Sequence, residues 1–158
     1  MTSETDSSSS ADVLQSLDSG WFIYTIKQIE LGLRVPTEEV AQQAGLTTAQ
    51  FTALAVLERW PGITSSELAR RSFVRAQTMA ENVSVLLESG FIQRERDPEN
   101  MRRFHLYITD GGHDTLSSAR SAMDDLEAKL LAALTPRDRE EFAKHLRNVR
   151  RALRDLPR

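Results

Sequence analysis

No cysteine occurs among the 158 residues, which removes disulfides, thiolate metal sites and sensing by cysteine oxidation. No apolar run approaches the roughly 20 residues that a membrane-crossing helix needs, so no membrane span is expected. The three histidines, His105, His113 and His145, form no H-x-x-H or H-x-x-x-H pair. With no thiol to assist them, each reads as an isolated side chain and no metal site is expected. A glycine-rich phosphate loop, a nucleophile elbow and a paired-carboxylate motif are all missing, and Asp124 and Asp125 sit at adjacent, diverging helix positions. We therefore expect neither a catalytic constellation nor a cofactor. A basic excess is absent too: 23 acidic residues outnumber 20 basic ones, for a net charge of −3. That counts mildly against a nucleic-acid binder and shifts attention to where the arginines lie. Residues 1–10 are serine-rich and acidic, with neither the basic start nor the apolar core of a signal peptide. The expectation is a disordered tail over residues 1–12 and a cytoplasmic protein.

What is present is an unbroken order of local signals between Ile63 and Asp110. Thr64-Ser65-Ser66-Glu67 has the spacing of a capping box, in which Thr64 accepts from the Glu67 N–H and the Glu67 carboxylate reaches back. The short helix it opens should carry Leu68 and Ala69 inward, show Arg70 and Arg71 outward, and stop near Ser72-Phe73. A second helix is predicted over residues 75–89, because Met79, Val83, Leu86 and Leu87 share one face while Gln77, Ala80, Glu81 and Ser84 share the other. Gly90 suits a left-handed helix end, and a strand follows from Phe91. Asp97-Pro98-Glu99-Asn100 is a turn cluster, after which Phe104, Leu106 and Ile108 alternate with Arg103, His105 and Tyr107. Thr109-Asp110 caps a further helix, whose first turn Gly111 and Gly112 should weaken. Helix, turn, helix and arginine-tipped hairpin in that order make a winged helix-turn-helix. A chain of that kind is expected to bind duplex DNA.

Charge distribution agrees. Arg70, Arg71, Arg75, Arg94, Arg96, Arg102 and Arg103 collect in the reading head, whereas Asp124, Asp125 and Glu127 lie in a helix expected to be remote from it. Phosphate neutralisation releases counterions, so binding should weaken steeply with salt.

The flanks carry long apolar stripes. Phe22, Ile26, Ile29 and Leu33 form one, with Trp21 and Tyr24 beside it, until Val35-Pro36 kinks or breaks the helix. A shorter helix over residues 37–44 should end at Gly45, and Thr47-Thr48-Ala49-Gln50 opens the next with a T-x-x-Q box. Leu116, Met123, Leu126, Leu130 and Leu134 make a second stripe. After Thr135-Pro136, Phe142, Leu146, Val149, Leu153 and Leu156 make a third. These stripes fit an internal core or a second chain, and their length favours a two-fold homodimer. A symmetric dimer implies a pseudo-palindromic operator with half-sites about 10 bp apart.

From roughly Leu17 to Leu156 the chain resembles the MarR-type winged helix regulators of bacteria. The resemblance is carried by Gly45-Leu46-Thr47, by Leu68-Ala69 with Thr78, Leu86, Gly90 and Phe91, and by Asp97-Pro98-Glu99-Asn100-Met101-Arg102 followed by Ile108-Thr109. Three positions depart from the family pattern. Arg75 replaces a small N-cap, Asn82 replaces an apolar residue, and Asn100 replaces the acidic residue that commonly braces the wing arginine. The departures bear on base contacts and not on the fold.

The expected fold is mainly α with a small two- or three-stranded antiparallel wing. It divides into a tail (1–12), an N-terminal dimerisation helix region (13–45), a winged helix-turn-helix (46–110) and C-terminal dimerisation helices (111–158). Candidate DNA contacts are Thr64, Ser65, Arg75, Ala76, Gln77, Thr78, Glu81, Arg94, Arg96, Arg102 and Arg103. Gln77 can bond adenine bidentately and Arg75 can reach guanine or phosphate, whereas Glu81 tolerates only a cytosine amino donor. Arg102 is placed for the minor groove or a phosphate. The resemblance implies a small aromatic or phenolic effector that loosens the grip on DNA, with Trp21, Phe22, Tyr24 and His105 as candidate contacts. It also implies repression of the chain's own or adjacent genes. A winged module that binds another protein, and a small enzyme or ligand carrier, are the competing readings.

Overall fold

A computed structural model of the chain describes residues 21–153 and residue 156; the tail expected over residues 1–12 lies outside them. Among the described residues six helices and one hairpin follow in the order α1 (Phe22–Gln43), α2 (Thr48–Arg59), α3 (Ser65–Arg71), α4 (Ala76–Glu88), β1 (Ile92–Arg96), β2 (Phe104–Ile108), α5 (Asp110–Leu130) and α6 (Pro136–Ala152). No helix among them is long and apolar enough to cross a membrane.

Helix ends fall where the sequence places its caps. Thr47 and Gln50 form a reciprocal capping box at α2. Thr109 accepts from the Gly112 N–H at α5, and Thr135 from the Asp138 N–H at α6 with Pro136 in the first turn. Gly45 and Gly90 take φ of 73° and 72° shortly after α1 and α4, the left-handed conformation that closes a helix most cheaply with glycine.

Two local expectations need correction. The chain does not break at Pro36, which lies inside the single helix α1. Proline removes one backbone donor and crowds the carbonyl four residues back. Here that residue is Gly32, around which a Cβ would meet nothing within 4 Å, and the Thr37 hydroxyl donates to the Leu33 and Arg34 carbonyls (2.7 and 3.1 Å). The second correction concerns Glu67. Thr64 caps α3 as expected, but the Glu67 carboxylate turns away from Thr64 to bond Arg70 at 2.6 Å and to lie 2.7 Å from Arg71 Nε. Two guanidinium groups outcompete one backbone N–H for a carboxylate.

The turn after α3 holds a strained residue. The Val74 and Phe73 N–H groups donate back to the Ala69 and Arg70 carbonyls, which closes the helix with Phe73 at φ 56° and leaves its ring 78% exposed. A side chain in that conformation costs about 1–2 kcal/mol. Phe73→Gly is therefore expected to raise the unfolding free energy by about 1 kcal/mol, measured by urea denaturation; a loss of stability would mean the phenyl ring holds contacts that outweigh its backbone strain.

The core gathers Leu54 and Leu57 of α2, Leu68 of α3, Met79 and Leu86 of α4, Leu106 of β2 and Leu116 of α5, all at most 2% exposed. The hairpin pairs Ile92 with Ile108 through to Arg96 with Phe104. On its other side Leu106 bridges to Ile63, donating to the Ile63 carbonyl and accepting from the Gly62 N–H, so a single isolated bridge ties the two-stranded wing to the α2–α3 turn. The outer face of β2 is accordingly less exposed than its alternation predicts, with His105 and Tyr107 both half-buried. Leu116 and Ala119 of α5 enter the chain's own core and not an external surface, whereas α6 buries no residue at all.

Candidate nucleic-acid interface

The exposed face of α4 and the hairpin tip lie at the two ends of the segment that the sequence marks as the reading head. Burial of Met79, Val83 and Leu86 fixes the rotation of α4, so Arg75, Ala76, Gln77, Thr78 and Glu81 are all exposed. Arg75 occupies the N-cap with extended backbone and supplies no side-chain cap. The first-turn N–H groups thus keep their donor capacity for a solvent or ligand acceptor. Farther along, Asn82 Nδ2 donates to the Thr78 carbonyl (2.9 Å) and the Ser84 hydroxyl to the Ala80 carbonyl. Both polar side chains fold back on their own helix, which explains how Asn82 is tolerated at a position where the family pattern has an apolar residue.

The wing arginines divide by what holds them. Arg94 and Arg96 both approach one ring, their guanidinium carbons 4.7 and 5.1 Å from the Phe104 centroid, and Arg96 also donates to the Met101 carbonyl at 3.1 Å. Cation–ring contacts of this kind stiffen the stem. Arg103 lies 3.8 Å from the Asp97 carboxylate. Arg102 is exposed and, among the described residues, has no carboxylate within ion-pair distance. Its backbone N–H, not its guanidinium, is what Asn100 engages, through Oδ1 at 3.1 Å. The acidic brace that Asn100 replaces has become an amide that shapes the turn and leaves the guanidinium free.

Thr64, Ser65, Asn100, Arg102, Arg103 and Phe104 border one open groove of about 680 Å³ between the start of α3 and the wing. Four sequence-selected candidates therefore meet there, with Arg75, Gln77, Thr78 and Glu81 on the neighbouring helix face. Arg70 and Arg71, counted in the basic patch, contribute less than expected. Both are paired with Glu67, whose carboxyl the Arg70 guanidinium holds below the usual range, and Arg71 stacks 4.5 Å from the Trp60 ring centroid.

The histidines correct the sequence reading. His105 does not join Trp21 and Tyr24; its Nδ1 lies 2.6 Å from the Gly62 carbonyl and its Nε2 3.2 Å from Asp97 Oδ2. His113 of α5 faces Glu58 of α2 at 3.4 Å, and Arg120 bonds the same carboxylate at 2.6 Å. Arg120 first, and His113 after it, hold the Glu58 carboxyl below its ordinary value. Neither partnership is legible locally, because Gly62 and Glu58 are distant along the chain. Among the described residues no cluster of three or more metal-ligating side chains forms.

Trp21, Phe22 and Tyr24 sit exposed at the start of α1, with the Trp21 and Tyr24 rings 4.8 Å apart and the Tyr24 hydroxyl taken by Gln28. They border neither of the grooves along this helix. One of these, about 430 Å³, is lined by Ile26, Ile29, Leu33 and Arg34 of α1 with Thr48 of α2.

Comparisons with known proteins agree on one family. Residues 44–103 match the sequence profile of the MarR family. An HTH-type transcriptional repressor of Mycobacterium tuberculosis (strain ATCC 25618 / H37Rv) is 27% identical over 130 residues, covering 82% of this chain and 91% of that protein. The crystal structure of MarR superposes with a TM-score of 0.74 at 31% identity, covering 85% of this chain and 98% of that one. The fold is also that of the transcriptional repressor CouR, solved bound to a 23-mer DNA duplex, with a TM-score of 0.73 at 24% identity over 82% of this chain and 95% of that one. With the α3–α4 helix pair, the arginine-tipped wing and these likenesses together, the chain belongs to the MarR family of winged-helix, DNA-binding transcriptional regulators.

Proposed function

We propose that this chain is a cytoplasmic homodimer that recognises a pseudo-palindromic operator through α4 and the wing, represses its own or adjacent genes, and is released by a small aromatic or phenolic effector. The observation that carries the reading is the groove between the start of α3 and the wing, edged by Arg102 and Arg103, with the uncapped first turn of α4 exposed on the helix that follows α3. Helix N–H groups and guanidinium groups are both anion donors. In this reading α4 enters a major groove, where Gln77 meets a base edge and Arg75 a guanine or phosphate. Thr64, Ser65 and Thr78 hold the backbone, and Arg102 with Arg103 follows the adjacent strand or minor groove. Arg94 and Arg96 act mainly by stiffening the stem through Phe104.

Dimerisation is supported by the apolar surface the single chain leaves open. Phe22, Ile26 and Ile29 of α1, with Phe142, Leu146 and Val149 of α6, are between 40% and 56% exposed. Two helices with one face this apolar need a covering partner. For the effector, the groove of Ile26, Ile29 and Leu33 with Arg34 at its rim offers an apolar wall with a polar handle. It lies on the same helix that the dimer would use, so a ligand there can favour one spacing of the two reading heads. Phe22 within the dimer face, and Trp21 and Tyr24 beside it, can contribute from a second copy.

Fluorescence anisotropy on duplex DNA from the chain's own upstream region, against a scrambled duplex, tests the reading. Selective, salt-sensitive binding is the expected result. Arg102→Ala should weaken it about tenfold and flatten the log K against log salt slope by about one unit for each phosphate no longer neutralised. Equal, weak binding to both duplexes would instead favour a winged module that docks on another protein.

A further inference from the structure

His105 is held between two groups that can only accept. Its Nδ1 lies 2.6 Å from the Gly62 carbonyl and its Nε2 3.2 Å from Asp97 Oδ2. A neutral imidazole carries one N–H, so it can satisfy one acceptor while presenting a lone pair to the other; the imidazolium donates to both. Asp97 cannot supply the missing proton. Its Oδ1 accepts from the Glu99 N–H at 2.9 Å, and that bond first, with His105 after it, holds the carboxyl below its usual range.

The position of this pair in the wing matters. Leu106 is fixed to Ile63 by backbone bonding whatever the state of the histidine. His105 is the next attachment to the α2–α3 turn going outward, and beyond it the Arg96–Phe104 pair and the Asp97 N–H bond to the Arg103 carbonyl lead into the turn that carries Arg102. Other charged groups around the ring are few. Glu95 is its cross-strand partner, and Arg103 approaches Asp97. Tyr107, next along the same face, brings its hydroxyl against Gly62. From the α2–α3 side the Gly62 carbonyl bonds the ring, while Arg59 and Arg71 are turned to Trp60. Of these groups none but the imidazole ordinarily changes charge between about pH 5 and 8.

We propose that His105 is a proton-dependent positioning residue, which as imidazolium clamps the outer wing to the α2–α3 turn and holds Arg102 and Arg103 in place for DNA. The inference rests on the DNA-binding reading above. The clamp is complete when the ring carries both protons and gives up one of its two bonds when it loses one, so the wing tip loosens and affinity falls with rising pH.

The test measures two quantities at about pH 6 and about pH 8, at constant ionic strength. One is amide hydrogen exchange at Arg102 and Arg103 in the free protein, corrected for intrinsic rates; the other is affinity for the upstream duplex. In the wild type both protection and affinity should fall about fivefold from the lower to the higher pH, the worth of one hydrogen bond. His105→Gln should remove the pH dependence and leave the weaker value at both. Asp97→Asn should remove it in the opposite sense. The introduced carboxamide keeps an oxygen for the Glu99 N–H and offers an N–H to Nε2, so a neutral ring satisfies both neighbours and the wing stays held at the higher pH. A merely structural histidine would not give that reversal. The clamp is overturned if wild-type exchange is the same at both pH values, or if His105→Gln keeps the wild-type dependence. Should no protein bind the duplex at either pH, the DNA-binding reading fails and exchange alone decides the clamp.

Discussion

Gly112→Ala should destabilise the fold by about 3 kcal/mol, lowering Tm by roughly 6–12 °C for a domain of this size. A Cβ at Gly112 would overlap the carbonyl oxygen of Phe91 and come within 2.8 Å of Ile108 Cγ1. Neither can yield cheaply. The Phe91 carbonyl accepts from the Thr109 N–H at 3.0 Å, and Ile108 is paired with Ile92 in the hairpin. Moving either opens the junction where the end of the wing turns into α5. The neighbouring glycine provides the control, because at Gly111 a Cβ would meet only the Thr109 hydroxyl, at 3.9 Å. Gly111→Ala should therefore stabilise α5 by up to about 1 kcal/mol through helix propensity alone. Opposite signs at adjacent positions, read by thermal denaturation, would locate the constraint at the wing junction; equal effects would place it in the helix.

Leu146→Glu is expected to abolish self-association at micromolar protein while leaving the helical content of the chain unchanged. Leu146 is 50% exposed on α6, a helix that buries nothing within its own chain, so a carboxylate there costs a monomer little. In an isologous interface the same residue is met twice, and each unpaired charge buried at an interface costs several kcal/mol. At about 1.4 kcal/mol per decade the dimer constant should shift by more than a hundredfold. Sedimentation velocity of wild type and variant decides it. Operator affinity should fall with dimerisation, because each half-site then binds alone. A wild type that sediments as a monomer would show that the open faces of α1 and α6 serve something other than a second copy.

The parts of the fold that local chemistry dictates are legible in the sequence. Four threonine caps, two left-handed glycines and the apolar faces of α3 and α4 each act within a few residues, so spacing alone places α2 through the start of α5. Competition between partners is not legible. Glu67 has Thr64 within reach and pairs with two arginines instead. Pro36 reads as a break because nothing in its own chemistry announces the open space beside Gly32 or the Thr37 hydroxyl on the next carbonyl. The family resemblance and an aromatic ring make His105 a candidate effector contact, and the alternation of β2 turns it away from the Phe104 face. Its actual partner is a carbonyl that precedes α3 and α4 in the sequence, supplied by a turn that no local pattern links to the wing. The long stripes are apolar as their spacing says, but spacing does not apportion them. Leu116 belongs to the chain's own core, while Leu130 and the α6 residues stay open, and periodicity cannot say where along a helix one surface gives way to the other.

The hairpin carries a further consequence. β2 is flanked by β1 and, at Leu106, by Ile63, so among the described residues the strand edge left wholly unpaired is the outer one of β1. There Ile92 alone is buried, and Gln93, Arg94, Glu95 and Arg96 are exposed with alternating charge. A short, charged edge resists pairing with the same edge of another molecule. The two kinds of exposed surface thus have opposite dispositions toward a neighbour: the apolar helices invite it, whereas the wing, which protrudes and would otherwise be a template for sheet growth, is protected against aggregation by the same arginines that flank Phe104.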